Sequence, residues 1–136
     1  MEFFKQNVML IGLAIGSGLA LLLPMVSRSV AGITTLSVTE AVMLMNRKSA
    51  LVLDVRETDE FAQGHLQGAR HVPLSQLSTR LKELEKFRDK PVLVVCERGR
   101  RANAAAKLLK AQQFTHLNIL KGGMLAWTDA KMPSSK

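Results

Sequence analysis

Cys96 is the only cysteine in this 136-residue chain, and its neighbours favour a reactive thiol. It follows a run of apolar residues at 91–95 and precedes a turn, 97–101, that contains one glycine and three arginines. The alanine-rich run at 102–110 predicts a helix whose N-terminus lies at the sulfur. Helix N-termini, clustered backbone N–H groups and arginines all stabilise a thiolate anion. The pattern therefore predicts a nucleophile rather than a cysteine that merely ends a core strand.

The spacing of this loop is Cys96, two residues, Gly99, one residue and Arg101, and three other motifs accompany it. These motifs read LDVR at residues 53–56, EFxxGHLxGA at 60–69 followed by VP at 72–73, and KGGMxAW at 121–127. In this order the four motifs resemble those of single-domain rhodaneses, a family of sulfurtransferases. The resemblance covers about residues 33 to 130.

The resemblance implies a thiosulfate sulfurtransferase with an α/β fold, in which about five mainly parallel strands carry helices on both faces. Cys96 would accept sulfur from a small anionic donor such as thiosulfate and hold it as a persulfide. A thiol or a cyanide-like acceptor would then remove the sulfur, so that catalysis is covalent and needs no cofactor.

The rest of the loop would bind the substrate. Backbone N–H groups from Glu97 to Arg101, fanned by the turn at Gly99, would stabilise the sulfur anion. In the family, the position of Arg101 closes the loop or binds an anion, and those of Arg98 and Arg100 face the substrate. Solvated surface arginine is the alternative for Arg98 and Arg100.

Other residues of the motifs are predicted to support the loop rather than to react. Asp54 and Arg56 would organise the strand end beside the loop, with Arg56 paired to Glu60. His65 belongs to a framework motif, and a thiolate needs no general base. Trp127 would fill the core behind the loop. With one cysteine and no clustered histidines, the sequence predicts no metal site.

Two positions depart from the family pattern. The residue after the loop arginine is often serine in the family, and here it is Ala102. The Gly-Phe pair that usually ends the following helix is Gln113-Phe114, which removes a favoured C-cap at a cost of up to about 1 kcal/mol. Neither change removes the nucleophile.

Two other functions stay open. Phosphatases and arsenate reductases of the same fold use a related loop with five residues between cysteine and arginine, whereas the sixth residue after Cys96 is Ala102. A catalytically silent module that recruits a partner to the membrane is the second alternative, and the intact loop argues against it.

The elements that would hold the loop alternate between strand and helix patterns. Ser37 and Glu40 form a capping box that begins a short helix. Apolar runs predict strands, and amphipathic spacing such as Leu77, Leu81 and Leu84 predicts helices. Such alternation predicts a parallel sheet with the reactive loop at the carboxyl end of a strand. The predicted strands are 51–55, 69–72, 91–95 and 117–120, and the later helices are 57–63, one from Ser75, and 101–113.

The N-terminal segment predicts a membrane anchor. The 22 residues from Gln6 to Ser27 carry no charge, and a run of this length is long enough for a helix that crosses a bilayer. Residues 1–28 would be this anchor, 29–32 a linker, 33–130 the catalytic domain and 131–136 a tail. The alternative is a signal peptide cleaved after Ala31, which would export the domain.

Charge near this segment predicts its orientation. Arg28, Arg47 and Lys48 follow the apolar run, whereas Glu2 offsets Lys5 on the other side. The positive-inside rule then predicts a single-pass protein of the inner or plasma membrane with its catalytic domain in the cytoplasm. Small residues at positions 12, 16 and 20 would also permit a weak homodimer.

The charge balance limits the choice of partners. The chain carries a net charge of +8, with 19 basic and 11 acidic residues, but it has one Trp and no Tyr. No basic stretch is interleaved with the stacking aromatics of single-strand binding proteins, so no nucleic-acid partner is predicted. A small anionic substrate and an anionic membrane surface explain the charge better.

Overall fold

A computed structural model of the protein describes residues 6–9, 12–15, 32–47 and 50–136. Contacts divide the chain into two compact units, Met1–Ala31 and Gly32–Lys136, and each is considered by itself. Residues 6–9 and 12–15 are helical. No helix among the described residues is both long and apolar enough to cross a bilayer. Most of the predicted anchor, Gln6 to Ser27, lies outside the described residues, so the anchor stays a prediction.

In the second unit, the described residues form a sheet of five parallel strands in the order β1-β5-β4-β2-β3. The strands are β1 Ile33–Leu36, β2 Leu51–Asp54, β3 Arg70–His71, β4 Val92–Val95 and β5 Leu117–Leu120. The described helices are α1 Val38–Met45, α2 Thr58–Gln63, α3 Leu74–Leu77, α4 Arg100–Ala111 and α5 Gly123–Asp129, with a 3-10 helix at Leu81–Phe87. The expected parallel α/β fold is confirmed.

The central strands β2 and β4 are buried on both faces, which explains their continuous apolar runs. Successive residues of β4 point to opposite faces. Val94 packs in the core beneath α4, and Leu93 and Val95 pack in the core with α1 and α5. In register, Asp54 of β2 lies opposite Val95. The carboxyl ends of the two strands therefore bring residues 54–56 beside Cys96.

Three elements differ from the sequence prediction. The edge strand β1 was not expected, because Thr34 and Thr35 interrupt its apolar pattern and it is defined by pairing with β5. The strand predicted at 69–72 is reduced to Arg70–His71. The helix predicted from Ser75 is broken into α3 and the 3-10 helix. Residues 81, 84 and 87 repeat every third position, which is the period of a 3-10 helix.

The end of α4 shows how the chain manages without the expected glycine. Gln113 has a left-handed backbone with φ of 72°. Its N–H donates to the carbonyl of Lys110, and the N–H of Phe114 donates to that of Leu109. These two bonds form a Schellman motif. A non-glycine residue in this conformation costs about 1 kcal/mol, which is the size of the penalty expected from the sequence.

Candidate active site

The sulfur of Cys96 lies at the carboxyl end of β4 and is nearly buried, with the residue 1% exposed. The N–H of Gly99 donates to Cys96 Sγ at 2.9 Å, and the N–H of Ala102 donates to it at 3.3 Å. Gly99 has φ of 109° and stands immediately before α4, so the turn delivers these donors from the start of that helix. Converging N–H groups of this kind stabilise negative charge on sulfur. The loop also borders an open pocket of about 230 Å³, lined by Cys96, Glu97, Arg98, Arg100 and Arg101.

The opposite side of the loop backbone is held by the start of α5. The N–H of Met124 donates to the carbonyl of Cys96 at 2.8 Å, and that of Leu125 donates to the carbonyl of Glu97 at 3.1 Å. The first N–H groups of a helix have no partner within it, so these bonds satisfy both the N–H groups of α5 and the carbonyls of the loop. With these carbonyls held by α5, the N–H groups of the turn remain available to the sulfur.

Gly123 makes this close approach possible. It has φ of 59°, and a Cβ at this position would overlap the carbonyl oxygen of Cys96 and lie 2.6 Å from the carbonyl carbon of Glu97. The sequence contains a signal for this role, the glycine pair of the KGGMxAW motif. Sequence reasoning missed it because the contact joins residues far apart in the chain.

Arg101 is paired with Glu60 across the loop. Arg101 Nη1 and Nη2 donate to the two carboxylate oxygens of Glu60 at 2.5 and 2.8 Å. The hydrogen bond from Arg101 lowers the pKa of Glu60 to about 2. Glu60 Oε1 also accepts the N–H of Glu57 at 3.1 Å, which ties the start of α2 to the loop. Arg101 therefore holds the loop through a carboxylate partner.

Arg56 does not pair with Glu60 as the sequence predicted, because Asp54 is closer. Arg56 Nη2 donates to Asp54 Oδ2 at 2.8 Å and to the carbonyl of Gly64 at 2.7 Å. Both side chains of the pair are buried. Burial opposes the charge on Arg56, but the hydrogen bonds and negative charges of Asp54 and Glu97 together outweigh it, so the pKa of Arg56 is raised. Arg56 Nη1 also reaches Glu97 Oε2 at 3.4 Å, which connects β2 to the reactive loop.

Comparison with known proteins decides the family of this site. The family model described as a rhodanese-like domain matches residues 37–130. The chain belongs to the rhodanese family. It is 40% identical to YqhL of Bacillus subtilis over 91 residues, which are 67% of this chain and 71% of YqhL. It is 33% identical to the thiosulfate sulfurtransferase GlpE of Pseudomonas putida over 88 residues, 65% of this chain and 78% of GlpE.

A solved structure agrees with this assignment. The rhodanese-related protein of Thermoplasma volcanium superposes with a TM-score of 0.67 at 28% identity, over 75% of this chain and 97% of that one. Within this rhodanese domain, the structure brings Cys96, Glu97, Gly99, Arg100 and Arg101 together at the loop, with Arg98 at the pocket. Arg98 and Arg100 are exposed, and neither forms a salt bridge among the described residues.

The remaining predicted support residues of the rhodanese domain lie in its framework. The His65 ring stacks on Phe61 with centroids 3.9 Å apart, and its backbone pairs with Ser135. Trp127 is 3% exposed, and its indole N–H donates to the carbonyl of Pro133 at 2.9 Å. These contacts tie the C-terminal tail to the domain. No group of three potential metal ligands occurs in the part of the chain that the structure describes.

The contact between Gly123 and the loop predicts a steric penalty. Gly123→Ala should lower the free energy of unfolding by about 2–3 kcal/mol, because its Cβ meets backbone atoms that are held in place. Gly68→Ala is the matched control, since Gly68 also has positive φ but a Cβ there meets nothing within 4 Å. It should cost only about 1 kcal/mol. Urea unfolding measures both, and equal losses would contradict the proposed steric role.

The Glu60–Arg101 pair predicts a dependence of stability on pH. Because folding lowers the pKa of Glu60, the stabilisation is present at neutral pH and is lost as pH falls from about 5 towards about 2. Replacing Glu60 by Gln should cost about 1–2 kcal/mol at pH 7, after allowance for solvent screening of a pair that is one third exposed. The difference from the unmodified protein should shrink through this acid range.

Glu83→Gln is the control for that measurement, because Glu83 forms a similar pair with Arg80 on the surface. Its effect should be smaller and should vanish at about 0.5 M salt. Urea unfolding between pH 3 and pH 7 tests both. A Glu60→Gln effect that does not change with pH would mean that the charge of Glu60 has no role.

Proposed function

We propose that this rhodanese domain is a sulfurtransferase that carries sulfane sulfur as a persulfide on Cys96. The observation that supports it most directly is the pair of N–H groups, from Gly99 and Ala102, that donate to Cys96 Sγ. The same donors can stabilise a thiolate before transfer and a persulfide anion after it. The name of its relative GlpE, a thiosulfate sulfurtransferase, supports thiosulfate as the donor.

The reaction would proceed in two half-reactions. The Cys96 thiolate attacks the outer sulfur of thiosulfate, so that a new S–S bond forms while the S–S bond of the donor breaks. Sulfite leaves with the electron pair of that bond. A thiolate or cyanide then attacks the terminal sulfur of the persulfide and returns Cys96 to its thiolate form. No external oxidant or reductant is needed.

The charge of the loop favours this reaction over phosphate hydrolysis. A phosphatase loop uses its closing arginine to clamp an oxyanion, whereas Arg101 here is engaged by both oxygens of Glu60. Arg98 and Arg100 remain at the pocket and would attract a small anion. The pocket thus offers exposed positive charge for a donor anion and N–H groups for the transferred sulfur.

Treatment of the full chain with thiosulfate should add the mass of one sulfur atom, located on Cys96 by peptide mass spectrometry. Cyanide should remove it and release thiocyanate. Cys96→Ser should show neither reaction while keeping its unfolding midpoint, because the exchange is nearly isosteric. Absence of sulfur addition to the unmodified protein would instead favour the silent binding module.

We also propose that residues 1–28 anchor the domain to the inner or plasma membrane with the catalytic domain in the cytoplasm. The support is the uncharged apolar run of 22 residues and the excess of basic residues that follows it. An apolar helix of this length holds a protein in the bilayer far more tightly than electrostatic attraction to the membrane surface, which salt can screen.

The anchor predicts that the protein stays in the membrane fraction through high-salt and alkaline washes, with its first residues retained. Membrane fractionation followed by N-terminal sequencing of the mature protein is the measurement. A soluble protein that begins at Gly32 would identify a cleaved signal peptide and would overturn the cytoplasmic assignment.

A further inference from the structure

Each edge of the parallel sheet carries its own group of cations. At the carboxyl edge, Arg56 and Arg101 are each paired with a carboxylate, and Arg98 and Arg100 are exposed at the pocket of the reactive loop. Near the amino edge, cations gather at the segments that lead into β4 and β1, and the side chain of Arg70, whose backbone is in register with Leu53, reaches this group at Phe87. We call this group the amino-edge surface and define it as Arg70, Lys86, Arg88, Lys90 and Lys110. The acidic residues of the same segments are Glu83, Glu85 and Asp89, of which Glu83 pairs with Arg80 and Glu85 with Arg88.

Three of these cations surround one aromatic ring. Arg70 Cζ lies 5.7 Å, Lys86 Nζ 5.3 Å and Lys90 Nζ 5.6 Å from the centroid of Phe87. Within the described ranges none of the three forms a salt bridge with a carboxylate. Contact with the ring offsets part of their mutual repulsion. An external anion would offset more of it.

The cations extend across the edge to the point where the chain enters the domain. The carbonyl of Arg88 accepts the N–H of Thr115, which precedes β5. The side chain of Lys110 lies beside Gly32, which precedes β1. The amino-edge surface therefore runs from the segment that precedes β4 to the segment that precedes β1.

We propose that the amino-edge surface docks on the anionic headgroups of the membrane, so that the Cys96 loop faces away from the bilayer. This inference rests on the proposed anchor, because only residues 29–31 separate Gly32 from it. The four Cα–Cα steps from residue 28 to Gly32 span at most about 14 Å, which keeps this edge near the headgroups. Anionic lipids attract basic clusters held at such a distance.

The surface suits lipid headgroups better than RNA. Single-strand binding proteins present an open aromatic face on which a base can stack. Phe87 is half-buried and has three cations near its ring, so it offers no such platform. Docking would leave the reactive loop about 20 Å from the headgroups, since Cys96 is six positions after Lys90 along an extended segment.

The test places a fluorophore at either end of β5 in the full chain, reconstituted in lipid nanodiscs. In a Cys96→Ser background, His116→Cys labels the amino end and Lys121→Cys labels the carboxyl end; both residues are exposed. A headgroup-linked nitroxide lipid quenches labels near the surface. The discs contain either neutral phosphatidylcholine alone or a mixture with anionic phosphatidylglycerol.

We expect the label at position 116 to be quenched at least about twofold more than the label at 121, in anionic discs and at low salt. Replacing Lys86, Lys90 and Lys110 by Gln should abolish the difference, each lysine contributing about fivefold to the docked population. The matched control replaces Lys82, Lys121 and Lys131, which are also exposed and are not members of the amino-edge surface, with the label at 116 only. It should keep the quenching of the unmodified chain.

The possible failures are distinguishable. A chain that does not remain with the discs after an alkaline wash contradicts the anchor itself. A retained chain whose two labels are quenched equally, or whose quenching ignores anionic lipid, contradicts the docking while leaving the anchor intact. Loss of quenching at position 116 in anionic discs when single-stranded RNA is added at physiological salt would assign the surface to RNA and overturn the proposal.

Discussion

The direction of the peptide groups after β4 is the constraint on which the site depends. A buried sulfur can hold negative charge only if N–H groups, and not carbonyl oxygens, point at it. In this chain the carbonyls of Cys96 and Glu97 accept hydrogen bonds from Met124 and Leu125 at the start of α5. These bonds satisfy a helix N-terminus and orient the loop in one arrangement. The close packing that they need leaves no room for a side chain at position 123.

Ion pairs around the loop act on geometry more than on net stability. The desolvation of a buried pair such as Asp54–Arg56 offsets much of its attraction, but loss of one partner would leave an uncompensated charge. Arg56 uses its remaining donors on the Gly64 carbonyl and on Glu97, so one side chain connects β2, the end of α2 and the loop. Arg101 and Glu60 make a similar connection from α4. With both arginines engaged, the exposed charge at the pocket belongs to Arg98 and Arg100.

The parallel sheet places the reactive loop at one of its edges and the start of the domain at the other. Every strand ends on the side of the reactive loop, where helix N-termini and turn N–H groups collect, and this is why anions and nucleophiles favour that edge. The same geometry places the ends of α4 and the 3-10 helix at the opposite edge. Cations at that edge complement the negative ends of helix dipoles, and the three around Phe87 form no salt bridge with the carboxylates of the described residues.

The amino-acid sequence by itself determined the family, the parallel fold and the position of the nucleophile. These depend on short-range spacing, such as the Cys96–Arg101 loop, the apolar runs and the Ser37–Glu40 capping box, whose hydrogen bonds are present. Only the tertiary structure decided that Glu60 pairs with Arg101, 41 residues away, and that Gly123 contacts the loop. It also decided that β1 is a strand, since β1 is defined by its pairing with β5. Each of these depends on contacts between distant segments, which side-chain periodicity along one segment does not encode.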